Sequence, residues 1–95
     1  VESEGVITSF FEAGDSKIEL LQSITLDGPI ARHIERRGPG LHHVAFSVDD
    51  LSAEIANLEA KGYRCISGPK DGADGKRIAF LHPSDTAKVL VELCE

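Results

Sequence analysis

The chain has 95 residues, of which 41% are hydrophobic and 27% charged, as expected for one small globular domain rather than a disordered or coiled-coil protein. Its formal net charge of −6 argues against a nucleic-acid-binding protein, but it is compatible with binding of an anionic small molecule. The longest apolar runs are too short to cross a bilayer, and no charged segment followed by an apolar one is typical of a signal peptide. Cys65 and Cys94 form no CxxC pair, so we interpret them as two reduced thiols of an intracellular protein, with a single disulfide as the alternative.

A hairpin and a helix are predicted for the first part of the chain. Residues 6–12 are rich in β-branched and aromatic side chains, turn residues follow at 14–16, and an apolar run resumes at 17–22. Pro29, just after Asp27-Gly28, is typical of the first position of a helix, which Gly38 would end. The pattern therefore predicts strand, turn, strand and then a short helix.

From residue 41 onward the pattern predicts the order β-α-β-β-β. Residues 41–48 form a strand, and the apolar spacing of residues 51–61 predicts an amphipathic helix, which Asp49 and Asp50 would cap. Strands at 63–67, 77–82 and 88–94 complete the module, with a loop at 68–75. The fold class is therefore α+β, a complete βαβββ module at about 41–95 preceded by a partial module of two strands and a linker helix.

Two of the strands each place one possible metal ligand within an apolar segment. Alternation in residues 41–48 gives a bulky face that should pack under the helix and consists of Val44, Phe46 and Val48. His43 is then on the opposite face. In the last strand, the same alternation turns Glu92 away from the packing residues Val89, Val91 and Leu93.

Glu19 is a third candidate, in the hairpin, where Ile18 and Leu20 are expected to pack and Glu19 to point away from them. A carboxylate in the core of a strand costs on the order of several kcal/mol unless it is paired or bound to a cation. Two carboxylates and an imidazole around one divalent ion would remove that cost. Such a mixed nitrogen and oxygen set suits Co²⁺, Mn²⁺, Ni²⁺, Zn²⁺ or Mg²⁺.

Each of these side chains also has an ordinary structural interpretation. His43 could be a hydrogen-bonded core residue, Glu19 a solvated edge residue, and Glu92 could pair with Arg77 or Lys88. The spacing of the residues leaves these alternatives open.

Four segments together carry a family resemblance. They read Asp-Gly-Pro-Ile-Ala at 27–31, Gly-Leu-His-His-Val-Ala-Phe-Ser-Val-Asp-Asp at 40–50, Gly-Ala-Asp-Gly-Lys-Arg-Ile-Ala-Phe-Leu-His-Pro at 72–83 and Val-Leu-Val-Glu-Leu at 89–93. In the same order they resemble the D-S-P-I-A, G-[LI]-H-H-[IVM]-A-[FW]-x-V-D-D, G-A-x-G-x-R-I-A-F-L-H-P and V-L-V-E-L motifs of methylmalonyl-CoA epimerases, which belong to the vicinal-oxygen-chelate (glyoxalase-like) superfamily. The resemblance covers essentially the whole chain, although the second motif alone occurs across many glyoxalase-like proteins.

The resemblance implies a glyoxalase-like domain over residues 1–95 that epimerises methylmalonyl-CoA at C2, with a divalent metal ion stabilising the enolate. It implies that His43, Glu92 and Glu19 are metal ligands and that Glu92 is also a candidate acid–base residue. The family's remaining histidine ligand lies on an opening strand to which nothing in this chain corresponds, so the domain is expected to be incomplete at its N-terminus. The start at Val1 rather than Met fits that expectation.

The resemblance also points to contacts with an acyl-CoA. Lys76 and Arg77 lie in the third motif and are the expected substrate contacts, drawn from a pool of cations that also contains Arg32, Arg36, Arg37 and Lys70. The chain departs from the family where Ala87-Lys88 replaces a Gly-Gly pair and where Gly28 replaces a serine.

Two other functions stay open. The first is a lactoylglutathione lyase or another lyase of the same superfamily, and the second is a non-catalytic ligand-binding protein of the bleomycin-resistance type. A missing opening strand would leave a sheet edge unpaired, which favours a homodimer or a longer polypeptide. The expected location is the cytoplasm, or the mitochondrial matrix in a eukaryote, with no nucleic-acid or membrane partner.

Overall fold

The computed structural model describes residues 5–95 (the backbone alone at Asp74) and divides the chain into two compact units, Val1–Gly40 and Leu41–Glu95. The boundary between them coincides with the predicted start of the complete βαβββ module. Within residues 5–95, no helix combines the length and the apolar character that a membrane crossing requires. Both cysteines are free thiols, as expected.

The first unit consists of a hairpin and a helix, as predicted. Strands β1 (Val6–Ala13) and β2 (Ser16–Ser23) pair antiparallel, and helix α1 (Pro29–Arg37) follows. Gly38 ends α1 in a left-handed conformation with φ of 75°, and its N–H donates to the carbonyl of Ile34 at 2.6 Å. Pro29 at the start and Gly38 at the end therefore set the bounds of this helix.

The packing predicted for Ile18 and Leu20 is wrong for the described chain, because the two side chains are 53% and 55% exposed. They lie on the same face of the hairpin as Ile7 and Phe11, by the strand register. A two-stranded sheet has two open faces, and in this unit the helix in contact with it is α1, which contacts β2. That contact does not cover the apolar face.

The second unit has the predicted β-α-β-β-β order. Its elements are β3 (His43–Ser47), α2 (Leu51–Ala60), β4 (Cys65–Asp71), β5 (Arg77–Leu81) and β6 (Leu90–Cys94). They form a four-stranded sheet in the order β3-β6-β5-β4, in which β3 and β6 are parallel and the other pairs antiparallel. Short 3₁₀ turns lie at Ala73–Gly75 and Pro83–Asp85.

Helix α2 supplies two of the five buried core residues of this unit, Leu51 and Ile55. The Asp50 carboxylate caps it by accepting from the Ala53 N–H at 3.1 Å, and the Leu51 N–H donates to Glu95 Oε1 at 2.7 Å. Both contacts satisfy backbone donors that a helix start leaves unpaired. The core cluster of buried residues is Leu51, Ile55, Ala79, Leu81 and Leu93.

Phe46 does not pack under α2 as predicted, and its side chain is 55% exposed. Strand β3 is an edge strand of the sheet, whereas α2 contacts β4 and β5 near the other edge. Val48, at the end of β3, does pack against the core cluster. Alternation was therefore correct for the strand, but it could not tell which strands the helix covers.

Residues 68–71 are part of β4, whereas the sequence predicted a loop from residue 68. Gly68 has φ of 97°, and a Cβ built there would lie 2.5 Å from the carbonyl oxygen of Ile78. The ladder with β5 shifts register on both sides of Ser67 and then resumes as Lys70 opposite Ile78. A bulge thus allows β4 to continue through residues 68–71, for which the sequence predicted a loop.

Strand β6 begins at Leu90 rather than at residue 88, because the two residues before Val89 are left-handed. Ala87 has φ of 55° and Lys88 has φ of 67°. The segment is held by the Lys88 N–H, which donates to the carbonyl of Pro83 at 2.7 Å, and by the Thr86 hydroxyl, which donates to the carbonyl of Val89 at 2.6 Å. These two positions are the ones at which the resembling family carries Gly-Gly.

An Arg64–Asp85 ion pair ties the same segment to the residue before β4. Arg64 Nε lies 3.0 Å from Asp85 Oδ2 and its Nη2 lies 3.0 Å from Oδ1, so the contact is bidentate. Hydrogen bonding from the Arg64 side chain lowers the pKa of the Asp85 carboxyl below its ordinary value. The loop before β6 is therefore fixed at both ends.

Replacing Ala87 and Lys88 together by glycine is expected to stabilise the fold. A non-glycine residue in the left-handed region costs roughly 1–2 kcal/mol, of which glycine's greater freedom in the unfolded chain offsets about 0.5–1 kcal/mol. We expect the double variant to gain about 1–2 kcal/mol in its free energy of unfolding in urea. As the matched control, Ala56→Gly within α2 should lose about 1 kcal/mol. No gain in the double variant would contradict the left-handed assignment.

Candidate functional site

Helix α2 packs against one face of the second unit's sheet, and we call the opposite face, which α2 does not cover, the open face. Ala79 and Leu93, which are opposite each other on β5 and β6, are buried in the core cluster. Their neighbours Phe80 and Glu92 are also opposite each other, so they lie on the other face. This open face carries an imidazole, a carboxylate and a thiol.

His43 and Glu92 meet on that face. His43 Nε2 lies 3.1 Å from Glu92 Oε1, and the two side chains are 24% and 15% exposed. The parallel ladder makes this possible, because it places Glu92 opposite Ala45, two residues along β3 from His43 and on the same side. The alternative in which Glu92 pairs with Arg77 is not observed, since Arg77 Nη1 lies 3.9 Å from Glu95 Oε2 instead.

Two further residues extend the pair into a chain of four polar side chains. Cys94 Sγ donates to Glu92 Oε2 at 2.8 Å, and His42 Nδ1 lies 2.8 Å from His43 Nδ1. Sequence reasoning did not assign His42 and Cys94 to the site. Cys94 carried a signal, because it is two residues from Glu92 on the same strand face. His42 carried none, because strand alternation turns adjacent residues to opposite faces, whereas in the structure β3 begins only at His43.

The contact between the two histidines determines which nitrogen of His43 can bind an ion. One of the two Nδ1 atoms must carry the hydrogen between them. If His43 Nε2 binds a metal, the proton of the neutral ring is on Nδ1 and is donated to His42 Nδ1. His42 then acts as the hydrogen-bonding partner that fixes the orientation of the ligand.

The His43–Glu92 pair fits two neighbouring ligands of one divalent ion. Two ligand atoms bound at about 2.1 Å with the right angle of an octahedral site lie about 3.0 Å apart. The observed separation of 3.1 Å between Nε2 and Oε1 is compatible with that geometry, and it is also an ordinary hydrogen-bond length. Among residues 5–95, no group of three or more His, Cys, Asp or Glu side chains is arranged to hold a metal ion.

Glu19, the third predicted ligand, belongs to the first unit. It is exposed on β2 and lies opposite Phe10 on β1. The structure thus brings together two of the three predicted ligands, and the participation of Glu19 stays a prediction.

The predicted substrate contacts lie at one end of the sheet. Arg77 shares the α2 side of β5 with Ala79 by alternation, and it is ion-paired with Glu95. Lys76 is exposed next to the 3₁₀ turn at Ala73–Gly75, and its N–H donates to the carbonyl of Ala73 at 3.2 Å. Their contact with a substrate stays a prediction.

Lys70, another member of the predicted pool of cations, lies over the open face. Its Nζ is 5.6 Å from the centre of the Phe80 ring. The Phe80 ring is in turn 6.3 Å from the His43 ring in an edge-on arrangement. An aromatic surface therefore connects this cation with the His43–Glu92 pair.

These features define a βαβββ module with a polar pair on its open sheet face. The chain belongs to the glyoxalase/bleomycin resistance protein/dioxygenase superfamily. The model of that family matches residues 1–80. It is 44% identical over its whole length to the uncharacterised protein YqjC of Bacillus subtilis, of which it covers 69%. It is also 42% identical to the mitochondrial methylmalonyl-CoA epimerase of Mus musculus, over 94% of this chain and 51% of that protein. The chain thus spans about half the length of the mouse epimerase.

A solved structure supports the same family. The Streptomyces coelicolor methylmalonyl-CoA epimerase S115T variant, in complex with 2-nitronate-propionyl-CoA, superposes with a TM-score of 0.78 and 33% identity. The match covers 99% of this chain and 70% of that one. The α+β glyoxalase-like fold predicted from the sequence is confirmed.

The geometry predicts that His43 and Glu92 contribute together to metal affinity. His43→Ala and Glu92→Ala should each lower the affinity for Co²⁺ by about a hundredfold, because each removes a ligand atom. Competition with a fluorescent chelator measures that affinity. The matched controls, His33→Ala on α1 and Glu59→Ala on α2, should leave it unchanged. Equal affinity in the His43→Ala variant would contradict the assignment.

Proposed function

We propose that this chain belongs to a metal-dependent epimerase that inverts methylmalonyl-CoA at C2. The observation that carries the proposal is the half-buried His43–Glu92 pair on an open sheet face. The relatives of this domain include methylmalonyl-CoA and ethylmalonyl-CoA epimerases. The pair would supply two ligands for a divalent ion.

The reaction needs charge stabilisation beside the substrate's carbonyl oxygen. The C2 proton of a methylmalonyl thioester is acidified by the two flanking carbonyl groups, and its removal leaves negative charge on oxygen. A bound divalent ion would supply positive charge at that oxygen. Stabilisation of this kind is commonly the largest contribution to rate, about 3–4 kcal/mol for one well-placed donor.

The residues of this chain would hold the ion and move a proton. His43 would hold the ion through Nε2, and the Nδ1 contact with His42 orients its ring. Glu92 would be the second ligand, and it is the candidate that exchanges the C2 proton on one face of the substrate. Inversion requires a second acid–base group on the opposite face.

Two observations favour an epimerase over a ligand-binding protein or a lyase. A protein that only binds a ligand does not need a half-buried imidazole–carboxylate pair on its open face, since replacing such a pair with apolar residues is often neutral or stabilising. The relatives with assigned activities, in mouse and in Cereibacter sphaeroides, are acyl-CoA epimerases rather than lyases.

Isotope exchange tests the reaction directly. The full polypeptide that carries this chain is incubated with methylmalonyl-CoA in D₂O, and loss of the C2 proton signal is followed by proton NMR. Exchange should require Co²⁺, stop on addition of a chelator and be abolished in His43→Ala. A protein that binds Co²⁺ but exchanges no proton would contradict the epimerase and favour the lyase or the ligand-binding protein.

Lys70 is proposed to contact the phosphates of CoA. It lies over the open face, and its ammonium group takes part in none of the side-chain ion pairs described among residues 5–95. The protein has a net charge of −6, which repels an anionic substrate. A cation such as Lys70 would offset that repulsion locally.

Lys70→Ala is therefore expected to raise KM for methylmalonyl-CoA about fivefold with kcat unchanged, as removal of one exposed charge contact of ~1 kcal/mol would do. The effect should shrink at high salt and vanish with methylmalonyl-pantetheine, which lacks the phosphates of the adenosine portion. Lys61→Ala, at the end of α2, is the matched control. An equal rise in KM for both substrates would contradict the phosphate contact.

A further inference from the structure

We propose that Cys94 is a positioning residue, whose thiol holds the Glu92 carboxylate so that a single oxygen faces His43. This inference rests on the proposed function, because it concerns how the same two ligands are oriented. The two carboxylate oxygens have different partners. Oε1 lies 3.1 Å from His43 Nε2, and Oε2 accepts the hydrogen bond from Cys94 Sγ at 2.8 Å.

The direction of the Cys94 bond follows from the donor inventory. An ionised carboxylate only accepts hydrogen bonds, so the hydrogen between sulfur and oxygen belongs to the thiol. A bond to a charged acceptor is stronger than one between neutral groups. The thiol therefore holds Oε2 on the side away from His43, and Oε1 is the oxygen that would be offered to an ion beside His43 Nε2.

The backbone position of Cys94, from which the thiol extends, is fixed by the neighbouring strands. Cys94 ends β6 between two strands, opposite Ser47 on β3 and opposite Ile78 on β5. Its carbonyl also accepts from the Val48 N–H at 2.8 Å. Because both neighbouring strands hold this residue, its side chain can direct the carboxylate two positions earlier on the same face.

The other cysteine of the chain provides an internal control. Cys65 packs against the core cluster on the α2 side of the sheet, and its thiol lies 3.5 Å from the carbonyl oxygen of Ser67. Removing this thiol changes the core but not Glu92. A serine at position 94 keeps an O–H donor of similar size, whereas alanine removes the donor.

The first measurement detects the hydrogen bond without any metal. In a Cys65→Ala background of the full polypeptide, the S–H stretching band of Cys94 is recorded by infrared spectroscopy. The band should lie below the frequency of a free thiol and move up to it when Glu92→Ala is added. A band that does not respond to Glu92→Ala would overturn the proposal.

The second measurement tests the consequence for the site. We expect Cys94→Ala to lower Co²⁺ affinity about tenfold or more, in the range found for partners of metal ligands, and to change the visible absorption of bound Co²⁺. Cys94→Ser should restore both, and Cys65→Ala should alter neither. If Cys94→Ala binds Co²⁺ with the affinity and the absorption spectrum of the wild-type protein, the positioning role is overturned, whether or not the protein is an active epimerase.

Failure of the proposed function gives a different pattern. If the wild-type protein binds Co²⁺ and shows the affinity and spectral changes in Cys94→Ala, but exchanges no C2 proton, the epimerase assignment fails and the role of Cys94 stands. If the wild type binds no divalent ion, the positioning role is overturned together with the metal site.

Discussion

The parallel pairing of β3 with β6 is the constraint on which the site depends. The two strands are separated in sequence by α2, β4 and β5, and the sheet order β3-β6-β5-β4 returns the last strand to the side of the first. Two residues on adjacent parallel strands can share one face with their side chains in contact. That pairing places His43 beside Glu92, so the polar pair is a product of topology rather than of local sequence.

Because side chains alternate along the strands, the residues that form the core and the polar residues of the site lie on opposite faces of the same sheet. One face contributes Ala79, Leu81 and Leu93 to a core completed by Leu51 and Ile55 of α2. The opposite face carries the imidazole, the carboxylate and the thiol, together with Phe80. Substitutions on the open face can therefore alter a bound ion while the core stays intact.

The segment that leads into β6 is more strained than a glycine pair would be there. Ala87 and Lys88 adopt left-handed backbone conformations, and the bidentate Arg64–Asp85 pair and hydrogen bonds from Lys88 and Thr86 hold them in place. Because β6 follows this segment and carries both Glu92 and Cys94, the segment's position helps to set the backbone position of those two residues.

The sequence by itself determined the order of the elements and the side of the sheet on which His43 and Glu92 lie. Pro29, Gly38 and Asp50 set the helix bounds, and alternation correctly turned Glu92 away from Leu93. Tertiary structure decided the rest. A helix covers some strands and not others, which left Phe46 exposed, and a bulge at Gly68 carried β4 through apparent loop residues. The contacts of Glu92 with His43 and Cys94 depend on strand order and rotamers, which no local pattern encodes.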